Sequence, residues 1–308
     1  MKTFKNIVLA TDFSDSSTNA YNYARQLTAH FDATLTIVHV YDMPISPDTL
    51  DYMAVLPSPT DLEQAVQERM TNFIATHDGA VASLPKLKTK ALMGMGFPSD
   101  TLINHSKNPM ADLLILGTEG GANWLDKVFG TVAVDVLVKA HCPVLLVPKA
   151  ARYKGIYNAL YATSPNASSD KDVHLAIDYA HYFKAGLHFV HVRGVFEDPE
   201  HDAHLLFERI LAQKGIYSPY FVENVAAETI AEGIHNYASE NPIDLIIAVT
   251  HHRGFWADLV HYSTTKEVAW HTDLPILCLH NDDESDMMMQ QGYLKAEKAE
   301  YTEGVLEG

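Results

Sequence analysis

The feature that most constrains this chain is that it repeats itself. Ile7-Val8-Leu9-Ala10-Thr11 returns as Ala159-Leu160-Tyr161-Ala162-Thr163, and Val38-His39-Val40 returns as Val190-His191-Val192, both at an offset of 152 residues. Asp112-Leu113-Leu114-Ile115-Leu116 returns as Asp244-Leu245-Ile246-Ile247-Ala248 at an offset of 132, as does Cys142-Pro143-Val144-Leu145-Leu146-Val147 as Leu274-Pro275-Ile276-Leu277-Cys278-Leu279. Self-similarity at this period means that one folding unit occurs twice. The offset drops by 20 residues between the early and late blocks, so the first copy carries an insertion. The stretch Met43–Thr60, with Pro44, Pro47, Pro57 and Pro59, is its natural place.

Within a copy, short runs rich in β-branched and aliphatic residues alternate with helical patterns. Asn6–Ala10, Leu35–Tyr41, Leu87–Met93, Leu113–Gly117 and Val144–Val147 read as strands. Ser17–Phe31 places Ala20, Tyr23, Ala24 and Leu27 at helical spacing. Leu62–Thr76, Thr101–Lys107 and Thr131–Ala140 have similar character. Strands that alternate with helices imply a parallel sheet covered on both faces, with right-handed crossovers. The boundaries expected are a first domain over 1–150, a second over 151–281 and an acidic tail over 282–308. The last stretch, from Asn281, holds eight acidic residues and two lysines and reads as a solvated extension.

The chemistry is concentrated in Leu113–Leu137, where Gly117, Gly120, Gly130 and Thr131 spell G-x2-G-x9-G-[ST] directly after an apolar run. A strand feeds a glycine loop, and the loop feeds a helix. Glycines let backbone N–H groups approach a phosphate, and a helix start supplies free N–H groups and a positive dipole end. Thr131 is both an N-cap and a hydroxyl donor. The spacing is neither the dinucleotide fingerprint nor a P-loop, since no Gly-Lys-[Ser/Thr] follows. Loop glycines also serve plain turns, and that reading stays open. Asp12, followed by Ser14, Asp15, Ser16 and Ser17, equally suits an Asx turn and helix cap.

Composition excludes several partners. The chain has 308 residues, 47% hydrophobic and 20% charged, with a formal net charge of −17. So acidic a chain repels nucleic acid and anionic membrane. It also repels a free nucleotide, so a nucleotide site works through local dipoles and a divalent cation such as Mg2+. The Ile7–Ala10 run is too short for a secretory signal, and no span of eighteen apolar residues occurs. Cys142 and Cys278 are the only cysteines, which is no disulfide framework. The expected setting is cytoplasmic, with both thiols buried in late strands.

The first strand, the Val-His-Val second strand, the glycine loop and the Cys-Pro-Val-Leu-Leu-Val fifth strand together resemble a tandem universal stress protein over roughly residues 3–280. The resemblance implies an α/β fold of two tandem, doubly wound, parallel five-stranded sheets in the order 3-2-1-4-5, like that of the adenine nucleotide alpha hydrolases. It implies packing as an internal pseudo-dimer through antiparallel fifth strands, with a further homodimer left open. It also implies ATP, or AMP or ADP, as ligand. Asp12 would contact the adenosine end and the Val40 backbone would hold adenine. Gly117 and Gly120 would pass closely around ribose and phosphates, and Gly130, Thr131 and Val132 would hold phosphates. Glu119 departs from the family pattern by placing a carboxylate in the loop, and Lys127 is the only basic residue between Gly117 and Thr131.

The second copy lacks this pattern. Gly117 falls on Val249, Gly120 on His252, Gly130 on Tyr262 and Asp12 on Ser164, while Thr131 alone meets a like residue, Ser263. One live and one degenerate site are expected. His251, His252 and His261 lack the spacing of a zinc site and read as an exposed loop. His39 and His191 read as core histidines. No triad or paired carboxylates suggest catalysis. The reading is a nucleotide-dependent stress-response protein. A slow ATPase or autophosphorylating enzyme using Asp12, Glu119 or Thr131 stays open, as does a nucleotide-independent scaffold or small-molecule binder.

Overall fold

The computed structural model describes residues 4–41, 58–78, 87–107, 109–119, 131–163, 170–193, 219–228, 230–250 and 273–280. Among these, the first copy comprises β1 (Asn6–Ala10), α1 (Asp15–Phe31), β2 (Thr34–Tyr41), α2 (Pro59–Asp78), β3 (Lys88–Met95), α3 (Pro98–His105), β4 (Leu113–Thr118), α4 (Thr131–Lys139) and β5 (Val144–Pro148). The second comprises β6 (Asn158–Thr163), α5 (Asp170–Phe183), β7 (Gly186–Arg193), β8 (Tyr220–Ala226), α6 (Ile230–Glu240), β9 (Leu245–Thr250) and β10 (Ile276–His280). The strands expected from the apolar runs all form, within two residues at each end. Helix α3 starts three residues earlier than its pattern, because Pro98 fits the first helical turn, where no N–H is needed.

The strands make one sheet in the order β3-β2-β1-β4-β5-β10-β9-β6-β7-β8. Each half has the doubly wound order 3-2-1-4-5 with parallel neighbours. The halves meet where β5 and β10 pair antiparallel, Ile276 opposite Leu146 and Cys278 opposite Val144. Both strands are apolar on both faces, so each covers the other's edge and neither is left exposed.

Alternate residues along each strand supply two cores, one on each face of the sheet. Leu113 and Ile115 of β4 join α1, α2 and α5 on one face, whereas Leu114 and Leu116 join α3, α4 and α6 on the other. Both cores run across the midline. Phe4 stands 5.0 Å from Phe31 and 5.8 Å from Phe183, ring centre to ring centre, so aromatic packing bridges α1 and α5. The side chain of Asn19 in α1 donates to the carbonyls of Pro148 and Ala151 at 2.8 and 2.9 Å and so grips the segment leading to the second half.

The repeated aspartates have a shared structural task. Asp112 Oδ2 accepts from the N–H groups of Lys5 and Asn6, both at 2.8 Å, and Asp244 Oδ2 accepts from Tyr157 and Asn158 at 2.9 and 3.0 Å. Each ties the entrance of a fourth strand to that of a first strand, which sets the pair at the centre of its half.

Candidate functional site

Strands β1 and β4 are neighbours whose chains leave in opposite directions, β1 toward β2 and β4 toward β5. A crevice must open beyond their carboxyl ends. There the structure has a cavity of about 380 Å³. Its apolar wall includes Val38, Val40, Leu102, Leu116 and Val132, and its polar wall includes Thr11, Asp12, Ser14, Ser16, Thr118 and Glu119.

The polar wall is built by the turn from β1 into α1. Ser14 caps α1 by accepting from the Ser17 N–H at 3.2 Å, and Asp12 Oδ1 accepts from the Ser14 N–H at 3.0 Å. The Asx turn and cap left open by the sequence are therefore formed, and Asp12 also lines the cavity. Burial pushes the Asp12 carboxyl up, but hydrogen bonds from Ser14 and Ser17 outweigh it and hold the group below the usual carboxylate range. Phe13 takes a left-handed backbone, φ 64°, which a bulky residue adopts only when its surroundings hold it. Its ring lies 4.3 Å from that of His39 and 5.3 Å from that of Phe73, with the Arg69 guanidinium 4.6 Å above it.

His39 is half-buried and is more than core filling. Its Nδ1 lies 2.7 Å from the Thr11 carbonyl, and since a carbonyl only accepts, Nδ1 carries the proton. That bond pins the end of β1. His191, its counterpart, is buried.

Val40 is on the wall, and its backbone is aimed usefully. Val38 O accepts from the Thr11 N–H on the β1 side, and Tyr41 O accepts from the Gly96 N–H on the β3 side. Backbone groups of a strand alternate in direction, so the N–H and C=O of Val40 face the β1 side, where β1 has already ended at Ala10. The Val40 N–H and C=O thus border the cavity just beyond the end of β1, with no backbone partner among the described residues.

Gly117 lines the cavity for a reason the loop pattern did not reveal. A Cβ there would lie 2.6 Å from the Ser16 carbonyl oxygen and 2.8 Å from the Ser17 nitrogen. The missing side chain lets α1 begin directly against β4. Thr118, next to it, is 2% exposed, and its hydroxyl has no hydrogen-bond partner among the described residues. Glu119 turns to the rim, where Lys149 Nζ lies 3.7 Å from it and 3.0 Å from Asp15.

Of the residues expected at the site, Asp12, Val40, Gly117 and Val132 meet around this one cavity, and Thr131 opens α4 beside it. Gly120, Gly130 and Lys127 lie outside the described residues. So do the stretch 43–57, the histidines at 251, 252 and 261, the residues at 164, 262 and 263, and the acidic tail. Sequence reasoning missed Thr11, Ser14, Ser16, Thr118 and Lys149 as parts of the site. The serines had been noticed only as a cap, and nothing in the chain near Lys149 marks it.

A doubly wound α/β unit present twice in one sheet, with a polar-rimmed crevice at the switch point of the first copy, defines the class of protein. The model of the Universal stress protein family matches residues 3–148 and again 156–280. The chain belongs to that family, with two copies of its domain. A universal stress protein of Synechocystis sp. is 26% identical over 290 residues, covering 89% of this chain and 99% of its own length. One from Methanocaldococcus jannaschii is 30% identical over 155 residues, covering 47% of this chain and 83% of itself. The crystal structure of a universal stress protein from Archaeoglobus fulgidus shares the fold, with a TM-score of 0.65 at 19% identity over 90% of this chain and 99% of that one.

Proposed function

We propose that the first half binds an adenine nucleotide, ATP or its AMP and ADP products, and that occupancy of this site is a signal in a stress response. The observation that carries the reading is the cavity at the β1–β4 switch point bordered by the backbone of Val40 beyond the end of β1. A neighbouring donor and acceptor on one residue match the edge of adenine, while the apolar residues beside them suit its faces. Asp12 would meet the ribose, Gly117 and Gly120 the sugar and phosphates, and Gly130, Thr131 and Val132 the phosphates at the start of α4. The unpartnered Thr118 hydroxyl fits a site that a polar ligand completes.

Among the described residues no group of three or more His, Cys, Asp or Glu is arranged to hold a metal ion, so Mg2+ would arrive with the phosphates. Binding with little or no turnover is the proposed activity. No helix among the described residues is long and apolar enough to cross a membrane. Cys142 and Cys278 are free and buried, and burial raises both thiols, which suits a reducing cytoplasm.

The test is to denature freshly purified protein and quantify released nucleotide per chain. One adenine nucleotide per chain, or one site for added Mg-ATP in calorimetry, is the expected result. Two per chain would refute the degenerate second site. An empty protein that also ignores Mg-ATP would leave a scaffold as the better reading.

A further inference from the structure

The cavity has a charge problem. Two carboxylates, Asp12 and Glu119, line it, and among the described residues no lysine, arginine or histidine does. A phosphate entering such a space meets like charge on two sides. A cation stands just outside. Lys149 follows β5, and its backbone N–H donates to the Thr118 carbonyl at 2.8 Å, which fixes it beside the end of β4. Its ammonium reaches back between Asp15, at 3.0 Å, and Glu119, at 3.7 Å. Asp15 is flanked by Ser14 and Ser16, both on the cavity wall, and Glu119 is itself on the wall.

We infer that Lys149 is a cation of this site: it leaves Glu119 to pair with an anionic group, a phosphate, on the ligand. The step rests on the nucleotide reading above. Three physical points support it. The Lys149–Glu119 pair is long and both side chains are largely exposed, so exchanging Glu119 for a phosphate costs little. Asp15, at the shorter distance, can keep hold of the ammonium during the exchange and so limits the entropy lost on binding. Freed from Lys149, Glu119 can swing outward into water, which relieves its repulsion of the phosphate. The lysine that P-loop proteins carry inside the loop is here supplied from the start of the segment joining the two halves, some 30 residues later in the chain. Ligand occupancy is thereby linked to that segment.

The experiment is calorimetric titration of the full chain with adenosine and with Mg-ATP, for wild type, Lys149→Ala, Lys149→Arg and Glu119→Gln. Lys149→Ala should weaken Mg-ATP by about five- to tenfold, the size of one ordinary hydrogen bond lost at an exposed rim, and leave adenosine unchanged. The loss should shrink as salt is raised. Lys149→Arg should restore Mg-ATP affinity, and Glu119→Gln should bind Mg-ATP more tightly than wild type. If wild type binds both ligands and Lys149→Ala weakens neither, or weakens both equally, the role of Lys149 is overturned while the nucleotide reading stands. If wild type binds neither, both fall together.

Discussion

The two halves share a scaffold and differ at one end of it. Asp112 and Asp244 make the same pair of backbone hydrogen bonds, and the strand orders match. At the carboxyl ends the halves part. Gly117 lets α1 start against β4, whereas the corresponding strand carries Val249, packed against the core. Val40 is half-buried on a cavity wall, whereas Val192 is 7% exposed beneath α6, so close that a Cβ on Gly233 would lie 2.5 Å from its Cγ1. The position that holds Gly233 in α6 holds Thr101 in α3, whose methyl faces Gly94 at the end of β3. A duplicated fold can therefore keep its interior while a few substitutions at strand ends change what lies beyond them, where the sheet needs little from them.

The strongest way to break this comparison is to make the halves alike. Gly117→Val copies the second half into the first. The new side chain meets the backbone of Ser16, which cannot swing aside as a side chain would. A loss of about 1–3 kcal/mol in urea denaturation and abolished nucleotide binding are expected. Unchanged binding would mean that the start of α1 is not part of the site. The reciprocal Val249→Gly should create no site, because Val192 stays packed beneath α6 at Gly233.

A second pair tests the shared scaffold. Asp112→Ala and Asp244→Ala each strand two backbone N–H groups and should each cost roughly 1–3 kcal/mol, by similar amounts. A large cost in one half alone would show that the repeat is not mechanically equivalent.

The smallest effect concerns His188, which occupies the position of Thr36 in the first half. It is buried, with Nδ1 2.9 Å from the Tyr237 hydroxyl, and burial lowers its pKa below 6.5 despite the Glu223 carboxylate, which acts the other way. A lowered histidine favours the neutral folded form. The stability it contributes is present above 6.5 and is lost as pH falls from there through its folded pKa. His188→Thr should flatten that part of the stability profile. An identical slope in wild type and variant would assign the acid sensitivity elsewhere.

Much of the fold was legible because it rests on local periodicity. The apolar runs that became β1, β4 and β5 are short, β-branched and bounded by polar turns, and burial on both faces leaves them no alternation to misread. The repeat then supplied the second half at little extra risk. The site was legible only where a motif lies within one loop. Gly117 was singled out, but not its contact with Ser16, which comes from a helix about 100 residues earlier in the chain.

By itself, the sequence determined the duplicated α/β unit and the loss of glycines from the second copy, both written in residue spacing. The strand order was implied by the family resemblance. Only the tertiary structure decided that the serines after Asp12 wall a cavity, that His39 pins the Thr11 carbonyl, and that Lys149 reaches the rim beside Glu119. A parallel sheet gathers the carboxyl ends of strands far apart in the chain. The contacts made there depend on distances through space, which no pattern along the chain encodes.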